Sequence, residues 1–175
     1  QGTVAGGSVK PGDSVVILPA GTVANVQQIV TFDLVRNAAV AGDAITLVLD
    51  RPVDVARGDL IASVDAAPAV GLAFDARLVV LSGEGIVAGR RYWLKSSSRR
   101  QRVRVQPQTR LDLTSGAWDD TPELPLNAIG SVRLAFDEAA MFDAYDDNRD
   151  TGAFILIDPE SLGARQTTAA DLVSA

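Results

Sequence analysis

Short apolar runs punctuated by Gly, Asp and Pro fill the first third of the chain. Ser14 to Gly21 holds Val15, Val16, Ile17 and Leu18 between the turn residues Lys10 to Asp13 and the breakers Pro19 and Gly21. In the next run, Val23, Val26, Ile29 and Val30 are mixed with polar residues. Two further runs start at Ile45 and Leu60, each just after a Gly-Asp pair, as the first does. Glycine supplies a positive φ without steric cost, and an Asp side chain can accept from nearby backbone N–H groups. Gly12-Asp13, Gly42-Asp43 and Gly58-Asp59 therefore predict turns that launch strands. Runs of this length with regular turns predict a small barrel or sandwich, not βαβ units.

Asp65 to Ala69 is a small-residue stretch containing Pro68 and reads as a linker. Beyond it, Phe74, Ala76, Leu78 and Val80 alternate as one strand face. Two basic runs, Arg90 to Lys95 and Arg99 to Val105, come next. Ile129 to Phe136 alternates well, and Phe154 to Ile157 reads as a central strand. Glu138 to Phe142 is the one helix-like stretch and predicts barely a turn. The tail after Gly163 is polar and is compatible with strand or disorder. The expected fold is all-β, with two small antiparallel barrels at about 1–67 and 70–175.

Composition supports this. Eighteen of the 22 acidic residues are Asp, which favours turns and caps, and Val dominates the apolar set. The chain has neither Cys nor His, which removes Cys nucleophiles, disulfides, Ser-His-Asp triads and most zinc sites. A cytoplasmic setting is expected from the cysteine count. The net charge of −6 opposes nucleic-acid binding outside a localised basic patch. No apolar run approaches the ~20 residues of a membrane span. The chain opens on Gln1, so a processed or excised piece is expected.

Candidate chemistry is sparse. A P-loop needs Gly-Lys-Ser/Thr, but Lys10 precedes Pro11 and Lys95 follows Leu94. Asp146, Asn148 and Asp150 have the spacing of calcium ligands, yet Thr151 and Ile157 stand where an EF-hand needs Gly and Glu. That stretch reads as a turn whose carboxylates cap N–H groups and pair with Arg149. Arg100, Arg102 and Arg104 share one strand face, opposite Gln101, Val103 and Val105. With Arg90, Arg91, Tyr92 and Trp93 they form a candidate anion or nucleic-acid patch. The ordinary alternative is a solvated face whose charges pair with cross-strand Asp or Glu. No catalytic, cofactor-binding or metal-binding residues are assigned.

Gly2 to Asp13 resembles the second-domain signature of translational-type GTPases such as elongation factor Tu. More narrowly, Gly7 to Gly21, Val26 to Asp33, Ala41 to Asp50 and Arg57 to Ala62 resemble the GTPase (large) subunit of sulfate adenylyltransferase, or ATP sulfurylase. Phe74 to Glu84, Gly89 to Lys95, Leu126 to Val132 and Phe142 to Pro159 follow that subunit's third domain in order. The resemblance covers nearly the whole chain and weakens after Asp158. It implies two barrels like domains 2 and 3 of elongation factor Tu, the first lacking one strand upstream of Gln1 and therefore either gapped beside Gly2 to Val9 or completed by a neighbouring chain.

In that family GTP hydrolysis drives formation of adenylyl sulfate by a catalytic partner subunit. The resemblance places GTP and Mg in an upstream G domain, so this piece is expected to hold no cofactor and to catalyse nothing itself. Its expected work is to relay the G domain's state and to dock the catalytic subunit. Some relatives carry a C-terminal adenylyl-sulfate kinase domain, and this chain stops before one could begin. Two alternatives stay open: an RNA-binding barrel module of a translational GTPase, and a free-standing barrel that binds a small molecule.

Overall fold

The computed structural model describes residues 1–32, 34–81, 83–96 and 99–159 in full and the backbone of 166–173. The chain divides into two compact units, Gln1–Pro68 and Ala69–Ala175. Both are antiparallel β structures, as the pattern predicts.

In the first unit the strands are β1 (Gly2–Thr3), β2 (Ser8–Val9), β3 (Ser14–Leu18), β4 (Thr22–Thr31), β5 (Leu34–Arg36), β6 (Ala39–Val40), β7 (Ala44–Leu49) and β8 (Leu60–Ser63). The main sheet runs β1-β7-β4-β3-β8, β5 pairs with β4, and β2 pairs with β6. Strand β3 is flanked on both sides, and Val15 to Leu18 are all buried. Val15, Val26, Ile29, Ala39 and Ile45 form the core. The β4–β5 hairpin presents Phe32, Leu34 and Val35 to solvent.

Strands β3, β7 and β8 each begin right after a Gly-Asp pair. Gly12, Gly42 and Gly58 have φ of 93°, 94° and 100°. In each turn the Asp carboxylate accepts a backbone N–H three residues back: Lys10 to Asp13 at 2.9 Å, Val40 to Asp43 at 2.9 Å, and Ala56 to Asp59 at 2.8 Å. A Cβ at Gly42 would meet no atom within 4 Å, so only the backbone conformation resists substitution there. Gly42→Ala is therefore expected to cost about 1–2 kcal/mol in calorimetric unfolding, whereas an unchanged melting temperature would show that the turn relaxes freely.

The second unit contains β9 (Ala69–Val79), β10 (Ile86–Val87), β11 (Arg91–Lys95), β12 (Arg100–Leu111), β13 (Trp118–Asp120), β14 (Glu123–Leu124), β15 (Ile129–Phe142), β16 (Phe154–Ile157) and β17 (Gln166–Val173). The sheet runs β11-β16-β17-β9-β15-β12-β13, and β11 also pairs with β12. That last pairing closes a six-stranded ring. Its interior holds Leu78, Val80, Leu94, Val105, Val132, Leu134 and Leu156, each 0–1% exposed. Phe74, Phe136, Phe142 and Phe154 fill the rest, with ring centroids 5.2–6.0 Å apart.

One reading needs correction. Glu138 to Phe142 is not helical but forms the end of β15, paired with Ala69 to Gly71 of β9. The helix-favouring Glu, Ala and Met there are overridden by cross-strand pairing. A register shift between Ala135 and Ala140 blurs the alternation that would have revealed the strand. Strand β16 is central, between β11 and β17, as its apolar run predicts; Phe154 and Leu156 are buried and Ile155 and Ile157 are half-exposed on the outer face. Of the tail, 166–173 form a strand, and 164–165 and 174–175 lie outside the described residues.

Candidate functional site

The seam that closes the second barrel carries the most distinctive surface. Along β12 the pleat alternates strictly: Arg100, Arg102 and Arg104 face solvent, while Val103 and Val105 enter the core. Strand β11 sends Tyr92 and Leu94 inward and keeps Arg91 and Lys95 exposed, with Trp93 half-buried among them. The register sets Arg91 opposite Arg104, Trp93 opposite Arg102 and Lys95 opposite Arg100. The Arg100 and Arg102 guanidiniums lie 4.2 and 5.0 Å from the Trp93 ring centroid. Such contacts are worth about 0.5–1 kcal/mol at exposed sites. On the other flank, Ile157 pairs with Trp93 and Ile155 with Lys95, extending the face with apolar surface.

Five cations on β11 and β12 thus neighbour one indole, and two isoleucines on β16 border them on one flank. Among the described residues no carboxylate pairs with Arg91, Lys95, Arg100, Arg102 or Arg104. The face is solvated, as that alternative expected, but the acid pairs it expected are absent among the described residues: the groups opposite are Arg91, Trp93 and Lys95 on one side and, for Arg104, Ala135 on the other. Residues 85 to 111 hold eight of the sixteen Lys and Arg and none of the 22 Asp and Glu. Like charges directly opposite one another destabilise a strand pair.

A shallow recess of about 210 Å³ opens on this face, lined by Arg91, Tyr92, Trp93, Arg102 and Pro159. Two members of the sequence-derived patch belong elsewhere. Arg90 pairs with the buried Asp158 at 2.9 Å and with Glu84 at 3.4 Å. Its guanidinium also lies 5.9 Å from the Tyr92 ring centroid. Tyr92 points into the core, where burial pushes its hydroxyl pKa up. Strand alternation would have separated Tyr92 from Trp93; nothing in the sequence marked Arg90 as the partner of Asp158.

The Asp-rich segment is structural in this geometry. Asn148 caps the one-turn helix Arg149–Gly152 by accepting from the Asp150 N–H at 3.1 Å, and the Thr151 hydroxyl donates to Asp143. Arg149 lies over the Tyr145 ring at 5.6 Å, so the aromatic contact replaces the carboxylate pairing expected for it. Among the described residues no group of three or more Asp or Glu is placed to hold a metal ion, and no helix is long and apolar enough to cross a membrane. In the first unit, Arg51 and the backbone and side-chain donors of Asn25 hold the Asp50 carboxyl well below the usual range. Asn25 donates to it twice at 2.9 Å, tying β4 to the end of β7.

The resemblance read from the sequence is met by similarity over the whole chain. Sulfate adenylyltransferase subunit 1 of Rhizobium meliloti (strain 1021) is 70% identical over 175 residues, covering 100% of this chain and 34% of that protein. The same subunit of Agrobacterium fabrum (strain C58 / ATCC 33970) is 66% identical, covering 100% and 35%. That of Tolumonas auensis (strain DSM 9187 / NBRC 110442 / TA 4) is 40% identical over 90% of the chain and 34% of its own length. The chain spans about a third of the length of the curated relatives it matches.

Solved structures agree on the fold. Sup35 complexed with GDP superposes with a TM-score of 0.82 at 19% identity, over 99% of this chain and 43% of that one. Translation elongation factor SelB from Methanococcus maripaludis, in its apo form, gives 0.75 at 14% identity, over 96% and 36%. Residues 73–174, which hold the closed ring and its basic face, match the GTP-eEF1A C-terminal domain-like family, and the chain belongs to that family.

Proposed function

We propose that this chain forms the non-catalytic barrels of the GTP-hydrolysing subunit of a sulfate adenylyltransferase. The observation that carries this reading is 70% identity along the entire chain to the Rhizobium meliloti subunit. In this reading GTP and Mg bind in an upstream G domain, and the barrels relay its state and dock a catalytic partner subunit in the cytoplasm. The RNA-binding alternative rests on likeness to translation factors at 14–19% identity, which speaks to the fold alone.

The chain carries no Gly-Lys-Ser/Thr sequence, since Lys10 precedes Pro11 and Lys95 follows Leu94, so in this reading the nucleotide is cradled elsewhere in the subunit. The 175-residue chain alone is expected to show no GTP binding in calorimetry and no adenylyl sulfate formation. Added in excess, it should compete with the full-length subunit for the catalytic subunit and lower GTP-dependent adenylyl sulfate synthesis. Micromolar GTP binding by the chain alone, or no competition by a chain shown to be folded, would overturn the reading.

A further inference from the structure

We propose that the outer face of the β11–β12 seam is where an acidic region of the catalytic subunit docks, with one partner carboxylate seated between Arg91 and Arg102. This inference rests on the sulfate adenylyltransferase reading and names the surface that the reading requires. The first support is charge. The chain carries −6 overall, yet half its cations fall within residues 85 to 111, which contain no acid. Arg91 faces Arg104 and Lys95 faces Arg100, and no carboxylate within the described residues relieves either pair. An acidic surface brought from outside would relieve both.

The composition of the face is the second support. Trp and Arg are enriched where binding energy concentrates, and protein interfaces set an apolar centre inside a polar rim. Here Trp93 lies among the five cations of β11 and β12, and Ile155 and Ile157 add apolar surface beside it on β16. The recess, at about 210 Å³, is smaller than the roughly 300–1,000 Å³ of small-molecule sites. It is suited to a single inserted side chain. Among the described residues its lining has two arginines and no acid, a combination that selects a carboxylate, which a guanidinium can bind through two parallel hydrogen bonds.

Single-stranded nucleic acid fits less well. Such ligands stack bases on exposed aromatic faces. The Trp93 ring is already engaged by Arg100 and Arg102, so stacking a base would displace them.

The test uses the full-length subunit and its catalytic partner, with affinity measured by calorimetry at low and physiological salt. Arg102→Glu with Arg104→Glu is expected to weaken the complex on the order of 100-fold. The wild-type affinity should fall with added salt. Arg104→Gln removes one of two facing cations, so it should weaken binding without lowering the melting temperature; this separates docking from folding. Arg57→Glu, in the first unit, should leave affinity unchanged. An affinity within twofold of wild type for the double reversal would overturn the docking face while leaving the sulfate reading intact. Failure of the wild-type subunits to associate at all would overturn both. Retention of RNA at physiological salt through Arg102 and Arg104, with partner binding unaffected by their reversal, would reassign the face to nucleic acid.

Discussion

A Leu134→Ala protein unfolds its second barrel about 3 kcal/mol more easily than the wild type. Leu134 is fully buried on β15, opposite Val105 of β12 and Phe74 of β9. Its removal leaves a cavity that neighbours on three paired strands cannot collapse to fill. Both tryptophans, Trp93 and Trp118, belong to this unit, so fluorescence during urea denaturation reports its unfolding directly. A loss below about 1 kcal/mol would mean that the ring repacks around the gap.

The second large effect comes from Arg90→Met. Asp158 is 7% exposed and holds Arg90 at 2.9 Å, so the substitution leaves a carboxylate in the barrel wall without that partner. With Asp158 buried but Arg90 27% exposed, losing this pairing is expected to cost about 1–3 kcal/mol. Adding Asp158→Asn removes the carboxylate that Arg90 had faced and is expected to recover part of the loss. The same denaturation experiment checks this: additive losses in the double variant would show that the two side chains act independently.

Much of this architecture was legible because local chemistry and tertiary structure agree. The three Gly-Asp turns announce β3, β7 and β8, since few other residue pairs combine a positive φ with an acceptor for the turn's own N–H. The face of β12 was legible too, because Arg100, Arg102 and Arg104 alternate with residues that a core accepts. Elsewhere the period breaks. A register shift between Val26 and Gln28 moves the buried positions of β4 from an even to an odd step, from Val26 to Ile29. The shift in β15 hides the strand character of Glu138 to Phe142 in the same way. For the candidate site, the basic run was visible, but its balance was not. Whether a strand's charges meet acids depends on which strand pairs with it, and the neighbour of β12 turned out to carry Arg91, Trp93 and Lys95. Trp93 looked like one aromatic among several until the register set it under two guanidiniums.

The ring of the second barrel is completed by β17, which lies between β16 and β9. During synthesis, β9 is finished at Val79, and 86 residues separate it from Gln166, the start of its missing neighbour. At roughly 5–20 residues per second the wait is about 4–17 s. Throughout that interval the edge of β9 that β17 will take stays bare, and β16, once made, is bare along the edge that β17 will take. Backbone groups that the finished ring conceals are then available to other chains emerging from the same polysome. The rate of translation through residues 80 to 165 therefore sets how long a holdase chaperone must shield those two edges.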